Sequence, residues 1–323
     1  MTMKKTMLAA AALAFWAGAA RAEVKVVTAS SDLKYICERV GGAEVHVESL
    51  ASGDQDLHMV EPRPSLVYKL KKADLVVRVG LDLDMWVDSL VNAARNKRLF
   101  YGAPGYVDAS AGVPLLDKPE GKVDASMGDI HIYGNPHYWL DPANAKIMAG
   151  NILAGFKRAA PDKAAVFETN YGAFVEELDE KLAGWQVRMA KHKGLKVVTY
   201  HSSWPYFAAR FGLDVAGHVE PKPGIPPSAS HLDGLVKKMK AENIKVILTE
   251  SYYPRRGPDF LAGKTGAAVI TATVSAGGAK DVKTYFDVFD RVIADLEKAA
   301  APSPFDALKT AGGCSKAAEA CGR

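Results

Sequence analysis

The sequence predicts an α/β protein built as two lobes, each a parallel sheet flanked by helices, with one long helix joining them. Three observations lead there. Short runs rich in β-branched residues alternate with amphipathic helical stretches, the order expected of parallel strands with helical crossovers. The alternation occurs twice, once over residues 24–95 and again over 196–299. Between them lies an amphipathic stretch from Lys163 to Lys191 with no internal proline, far longer than an average globular helix.

The elements follow in order. Val24–Ala29 is an apolar run, and Ser30-Ser31-Asp32 then caps a helix that reaches Val40 before Gly41-Gly42 stops it. Val45–Leu50 reads as the next strand, followed by a polar loop that carries His58. Ser65–Lys72 reads as a short helix, Asp74–Val79 as a buried strand, and Met85–Arg95 as a helix with Trp86, Leu90 and Val91 on one face. From Asp141 helical spacing runs through Phe156, with Pro142 suited to a first turn. Pro161-Asp162 opens the long stretch, where Phe167, Tyr171, Phe174, Leu178, Leu182 and Trp185 fall near the i, i+3, i+4, i+7 rows. At 1.5 Å per residue it is on the order of 40 Å long, enough to run along both halves of the molecule. The alternation then resumes with strands Lys196–Tyr200, Val215–Val219, Lys245–Thr249 and Ala268–Thr273. Helices Trp204–Phe211, Ser228–Ala241, Gly257–Lys264 and Asp281–Ala299 come after them in turn. The chain therefore divides into a leader (1–22), an N-terminal lobe (23–160), the connecting helix (161–192), a C-terminal lobe (193–299) and an Ala-, Gly-, Pro- and Ser-rich tail (300–323). Each lobe is expected to carry its own core.

The leader sets the compartment. Lys4 and Lys5 form a basic start, Met7–Ala19 is apolar but short for a bilayer, and Ala20-Arg21-Ala22 supplies small residues for cleavage after Ala22. No cysteine follows the apolar stretch directly, so a lipid anchor is not expected. The reading is an exported, soluble protein of the periplasm. The formal charge of +4 becomes +1 once Lys4, Lys5 and Arg21 are removed, a balance that argues against nucleic-acid or anionic-membrane partners. Of the three cysteines, Cys314 and Cys321 are spaced for a small disulfide loop, with a soft metal pair as the lesser reading, and Cys37 is left buried and free.

Three histidines sit in distinctive local contexts after strand-like runs: Leu57-His58-Met59-Val60-Glu61-Pro62, Asn135-Pro136-His137-Tyr138-Trp139-Leu140-Asp141-Pro142, and Thr199-Tyr200-His201-Ser202-Ser203-Trp204. Neutral imidazole is the commonest protein ligand for zinc, and three of them make most of a tetrahedral site. Their wide separation means that the fold must assemble such a site from distant parts. With Tyr206-Phe207-Ala208, Arg210-Phe211-Gly212, Glu220-Pro221, Ser228-Ala229-Ser230-His231-Leu232 and Val246-Ile247-Leu248-Thr249-Glu250, these segments resemble the zinc/manganese-binding solute-binding proteins of bacterial metal ABC transporters, over nearly the whole chain from the leader to about residue 298.

The resemblance implies a C-clamp of two lobes on a rigid helix with the metal in the cleft. It implies His58 and His137 as ligands from the first lobe and His201 from the second. The family's usual acid after the last strand is missing here, since Ile270–Gly277 contains no carboxylate. Glu250, at the end of the neighbouring strand, is the substitute the sequence offers, with water or His131 as the other options. Alone, His131 reads as a solvated loop histidine, although related zinc proteins carry a longer His-rich loop hereabouts that helps capture metal. His46, His192, His218 and His231 read as surface or structural residues, Trp139, Trp204 and Tyr206 as packing around the site, and Lys69, Lys71 and Lys72 as a solvated helix face that a transporter could meet.

The function so implied is not enzymatic: capture of Zn2+ as cargo, delivery to an ABC permease of the inner membrane, and release when docking disturbs the lobes. A periplasmic zinc chaperone is a further candidate partner, and the chain is expected to act as a monomer. Three imidazoles favour zinc over manganese, whose sites are richer in oxygen ligands. The alternatives are a zinc-dependent hydrolase using the same three histidines, a manganese-binding member of the family, and a surface adhesin. The hydrolase lacks an HExxH-type helix or a base-plus-oxyanion constellation, and the adhesin lacks an anchor signal.

Overall fold

The computed structural model describes residues 23–121, 123–124 and 127–301. The leader and the Cys314–Cys321 pair lie outside the described residues. The first sheet contains β1 (Val24–Thr28), β2 (Val45–Ser49), β3 (Leu75–Arg78) and β4 (Tyr106–Asp108), all parallel, in the spatial order β2-β1-β3-β4. The second contains β5 (Lys196–Thr199), β6 (Asp214–His218), β7 (Val246–Glu250) and β8 (Ala268–Ala272), in the order β6-β5-β7-β8. The two lobes thus share one topology, and in each the strand order switches direction beside the first strand. Ligands in such sheets bind beyond the carboxyl ends of the strands near that switch.

The helices are α1 (Ser31–Gly41), α2 (Pro64–Lys71), α3 (Trp86–Ala94), α4 (Asn144–Ala159), α5 (Ala164–Ala190), α6 (Pro205–Phe211), α7 (Ala229–Ala241), α8 (Arg256–Thr265) and α9 (Tyr285–Ala300). Ser30 caps α1 as the sequence suggested, its hydroxyl accepting from the Leu33 N–H. Two departures have local causes. β4 has only three residues, too few for a strand pattern to show in the sequence. α9 begins at Tyr285, four residues later than expected, because Thr284 and Asp287 form a reciprocal capping box that fixes its start.

α5, 27 residues long, is the spine. Its buried Phe167, Phe174, Leu178, Trp185 and Met189 form one stripe, which packs on α1 and α4 of the first lobe and on α9 and α6 of the second. Phe174 stacks on Phe286 at 5.8 Å and Trp185 lies against Phe289 at 4.9 Å. This continuity corrects the expectation of one core per lobe. A single apolar cluster runs from Val26 and Ile36 through the α5 stripe to Val246, Leu248 and Phe289. Among the described residues a second, small core lies on the outer face of the second sheet, formed by Val198, Ile247, Leu235, Met239 and Leu261 with their neighbours.

Polar ties also cross between the lobes. Arg210 of α6 grips Asp141 with two bonds of 2.7 and 2.8 Å, a planar fork matched to a carboxylate. The Trp139 indole N–H donates to the Val274 carbonyl at 3.0 Å, and Asp32 accepts from the Ala276 N–H at 2.8 Å. The loops after β2 and β8 meet backbone to backbone. A Cβ on Gly53 would lie 2.1 Å from the Ala276 carbonyl oxygen, and one on Gly278 would lie 2.4 Å from that of Gly53. No larger residue fits at either position without moving a main chain.

Candidate metal centre

Three imidazoles converge at the carboxyl ends of the strands. His58 lies in the loop after β2, His137 in the segment after β4, and His201 two residues beyond β5. One ring nitrogen from each lies within 4.8 Å of the others, and among the described residues these three are the group of His, Cys, Asp and Glu that meets this condition. The ring centroids are 5.2 Å apart for His58–His137, 5.3 Å for His58–His201 and 5.4 Å for His137–His201. A tetrahedral zinc ion at the usual Zn–N distance wants its donors roughly 3.3 Å apart, so the trio needs only a modest contraction to hold one.

Each ring is oriented by an oxygen on its Nδ1. Asp56 Oδ1 lies 2.7 Å from His58 Nδ1 and Glu220 Oε2 lies 2.8 Å from His201 Nδ1. An ionised carboxylate can only accept, so Nδ1 carries the proton and Nε2 keeps its lone pair for a metal. For His137 the partner is Asn135 Oδ1 at 3.0 Å. Its amide orientation is fixed from the other end, because Asn135 Nδ2 donates to the Ser202 carbonyl at 2.8 Å and to Asp117 at 3.3 Å. Asp56 and Asn135 each also accept the backbone N–H of the histidine two residues on, at 2.9 and 3.0 Å. These are Asx turns, which tie ring and backbone to one side chain.

Burial completes the preorganisation. His137 and His201 are 3% and 4% exposed. Burial, followed by the nearby rings of His58, His201 and His131, holds the His137 pKa well below its ordinary value, so this imidazole stays neutral and ready to ligate. Trp139 packs on the His137 ring at 5.3 Å, and Tyr253 lies 5.8 Å from the His201 ring while stacking on Tyr200 at 4.4 Å. Tyr206 joins the loops by donating to the Asn135 carbonyl at 3.0 Å. A cavity of about 370 Å³, lined among others by His131, His137, His201, Asn135 and Asp117, opens beside the trio.

Two sequence-based assignments change. Glu250 is not brought into the histidine group. As the last residue of β7 it is fully buried, and its Oε1 accepts from the Trp204 indole at 3.1 Å while Oε2 has no partner. Burial pushes its pKa up to about 7, which suits a neutral acid under the site better than an anionic donor in it. His131 is not a solvated loop residue: its side chain is 12% exposed, its Nδ1 pairs with Asp82, and its ring lies 5.3 Å from that of His58. His218 is structural, its Nδ1 meeting Thr199 Oγ1 at 2.7 Å. The orienting roles of Asp56, Glu220 and Asp82 were missed. For Asp56 the signal was available, since it precedes His58 by the same two residues that separate Asn135 from His137.

Residues 26–299 match the family described as the periplasmic zinc-uptake complex component A. The chain is 26% identical to the zinc-binding lipoprotein AdcA of Streptococcus pneumoniae R6 over 231 residues, covering 71% of this chain and 45% of that protein. It is 26% identical to the high-affinity zinc uptake system protein ZnuA of Bacillus subtilis over 238 residues, 73% of each chain. It spans about half the length of the AdcA relatives it matches. Among solved structures, a zinc-bound ZnuA deletion mutant superposes with a TM-score of 0.74 at 23% identity, over 87% of this chain and 100% of that one. That likeness establishes the two-lobe fold.

Proposed function

The chain belongs to the zinc-uptake complex component A family, and from that premise we propose that it captures Zn2+ as cargo between its lobes and hands the ion to an ABC permease. One observation carries the reading. Imidazoles from both lobes, each with its Nδ1 held by Asp56, Asn135 or Glu220, bring one ring nitrogen apiece within 4.8 Å of one another. We propose His58, His137 and His201 as the ligands.

The chemistry follows from the donor set. Three neutral nitrogens suit zinc, whereas manganese prefers oxygen donors and stands lower in the divalent affinity order. Asp56 and Glu220 place two negative charges behind the rings, which raises the basicity of the ligating nitrogens and offsets part of the ion's charge. Because the lobes share a core, release through docking is proposed to act on the loops that hold the histidines rather than by swinging the lobes apart. The periplasm is the proposed place of work. Among the described residues no helix is long and apolar enough to cross a membrane.

The test is the metal content of protein purified without a histidine tag, with competition by a graded zinc chelator and a screen of ester, peptide and β-lactam hydrolysis. One tightly held zinc per chain without turnover is expected. Manganese binding as tight as zinc, or zinc-dependent hydrolysis lost in His201→Ala, would overturn the proposal.

A further inference from the structure

We propose that His131 is the fourth protein ligand of the zinc site, delivered by the arm between β4 and α4 and positioned by Asp82. The inference rests on the zinc reading above and adds to it the donor that the three-histidine group lacks.

A structural or carrier site that keeps zinc tightly holds it tetrahedrally, so three nitrogens leave one position to fill. The segment Thr273–Gly278 that follows β8 offers no carboxylate, Asp281 farther along the same loop is exposed and paired with Arg291, and Glu250 is turned toward Trp204. His131 has the same construction as the three proposed ligands. Its Nδ1 pairs with a carboxylate, Asp82, as His58 pairs with Asp56 and His201 with Glu220. Its Nε2 is buried with no hydrogen-bond partner, the same condition as His58 Nε2. A buried imidazole nitrogen left unpaired is costly, and a metal ion is the partner that would satisfy it. The His131–His58 ring separation of 5.3 Å equals that of His58 and His201.

The surroundings hold this ring in place. Its chain neighbours Ile132 and Tyr133 are 54% and 55% exposed, yet the His131 side chain is 12% exposed, so the arm lies in solvent while the imidazole turns inward. The arm is pinned at both ends, by the Asp129 N–H on the Pro223 carbonyl at 2.9 Å and the Asn135 N–H on the Leu116 carbonyl at 2.8 Å. Asp82 also accepts the Ile132 N–H at 3.0 Å, so one carboxylate fixes both the ring and the backbone beside it. It does so from a turn in which Leu81 and Asp82 both adopt left-handed backbone angles, φ 51 and 60. Such conformations are unfavourable for residues other than glycine and collect where a site demands a particular aim.

His131 stands beside His58 and outside the tight trio. Ligation therefore requires the arm to move inward between its two pinned ends. Gly128 and Gly134, at φ 82 and 124, flank it with backbone angles that other residues rarely adopt.

Zinc K-edge absorption and cobalt(II) visible spectra of the wild type, His131→Ala and Asp82→Asn test the assignment, with zinc affinity measured by chelator competition. Four nitrogen donors are expected in the wild type, and three nitrogens with one oxygen in His131→Ala together with a loss of tenfold or more in affinity. Asp82→Asn should keep four nitrogens but weaken zinc binding, in the 10- to 100-fold range seen for residues that orient metal ligands. Identical spectra and affinity for wild type and His131→Ala would overturn the assignment while leaving the zinc carrier intact. A wild type that binds no zinc at all would instead bring down the carrier reading, and this assignment with it.

Discussion

Replacing Glu250 by glutamine separates its two possible roles, because they predict opposite results. The carboxyl group is fully buried, with its pKa pushed up from 4.5 to about 7, and burial is the largest cause. Below pH 4.5 both folded and unfolded chains hold this proton, so the group costs nothing. As pH rises through 4.5 the unfolded chain ionises freely while the folded chain retains the proton until about 7. Stability therefore falls across that window, and the loss is complete above it. At 1.36 kcal/mol per pKa unit the full cost approaches about 3 kcal/mol. Glutamine cannot ionise, can still accept from the Trp204 indole, and keeps a polar group beside the Ser203 hydroxyl. Glu250→Gln should therefore stabilise the zinc-free protein by about 2–3 kcal/mol at pH 8 and by little at pH 5. Zinc affinity should hardly change. Urea unfolding in the presence of a chelator at the two pH values, with a zinc titration alongside, makes the measurement. A variant destabilised at both pH values, or one that binds zinc ten times more weakly, would refute the reasoning and restore Glu250 as a ligand.

His58→Ala, His137→Ala and His201→Ala should each weaken zinc binding by orders of magnitude in calorimetric titration, while circular dichroism reports a folded protein, because the core stands without the ion. Zinc affinity should fall between roughly pH 7 and 5 as protons compete for imidazole. Burial holds the His137 pKa well below its ordinary value, so that ring should add no proton to the slope in this window, and a slope of four protons per ion, one for every histidine of the site including His131, would contradict its burial. Gly172 and Gly184 lie exposed within α5 with open space where a Cβ would go. Alanine at each should stabilise by about 0.5–1 kcal/mol in urea melts, and their separation along the helix should make the two effects additive.

The fold was legible because its signals repeat. Caps such as Ser30, the apolar stripe of α5 and the doubled strand–helix alternation all agree with one another. The ligand trio was legible for a different reason, since each histidine carries a local context that survives without the fold. What failed depended on side-chain direction. Glu250 closes a strand whose residues are all buried, so no in–out alternation revealed which face it takes, and a one-residue change of parity sends it under the site instead of into it. His131 read as solvated because it sits between Gly128 and Gly134 in a stretch with the look of a loop. Its partner Asp82 is 49 residues away, on a turn set by two left-handed residues that no propensity anticipates. The merging of the two cores was equally hidden, because an amphipathic stripe does not say how many layers it serves.

The unbroken apolar cluster through α5 has a consequence for how long the protein survives. A chain whose halves share one interior melts as a single cooperative body, so whatever binds at the seam protects both halves together. An ion held at a free concentration one thousand times its dissociation constant adds about 4.1 kcal/mol against unfolding, and so cuts the unfolded fraction about a thousandfold. Proteases act on that fraction. If the chain carries zinc as proposed, the loaded form is thereby shielded along its whole length by an event at one small site, whereas the empty form is exposed throughout. In a metal-starved cell the standing stock of the protein would then follow its cargo, with no dedicated sensor required.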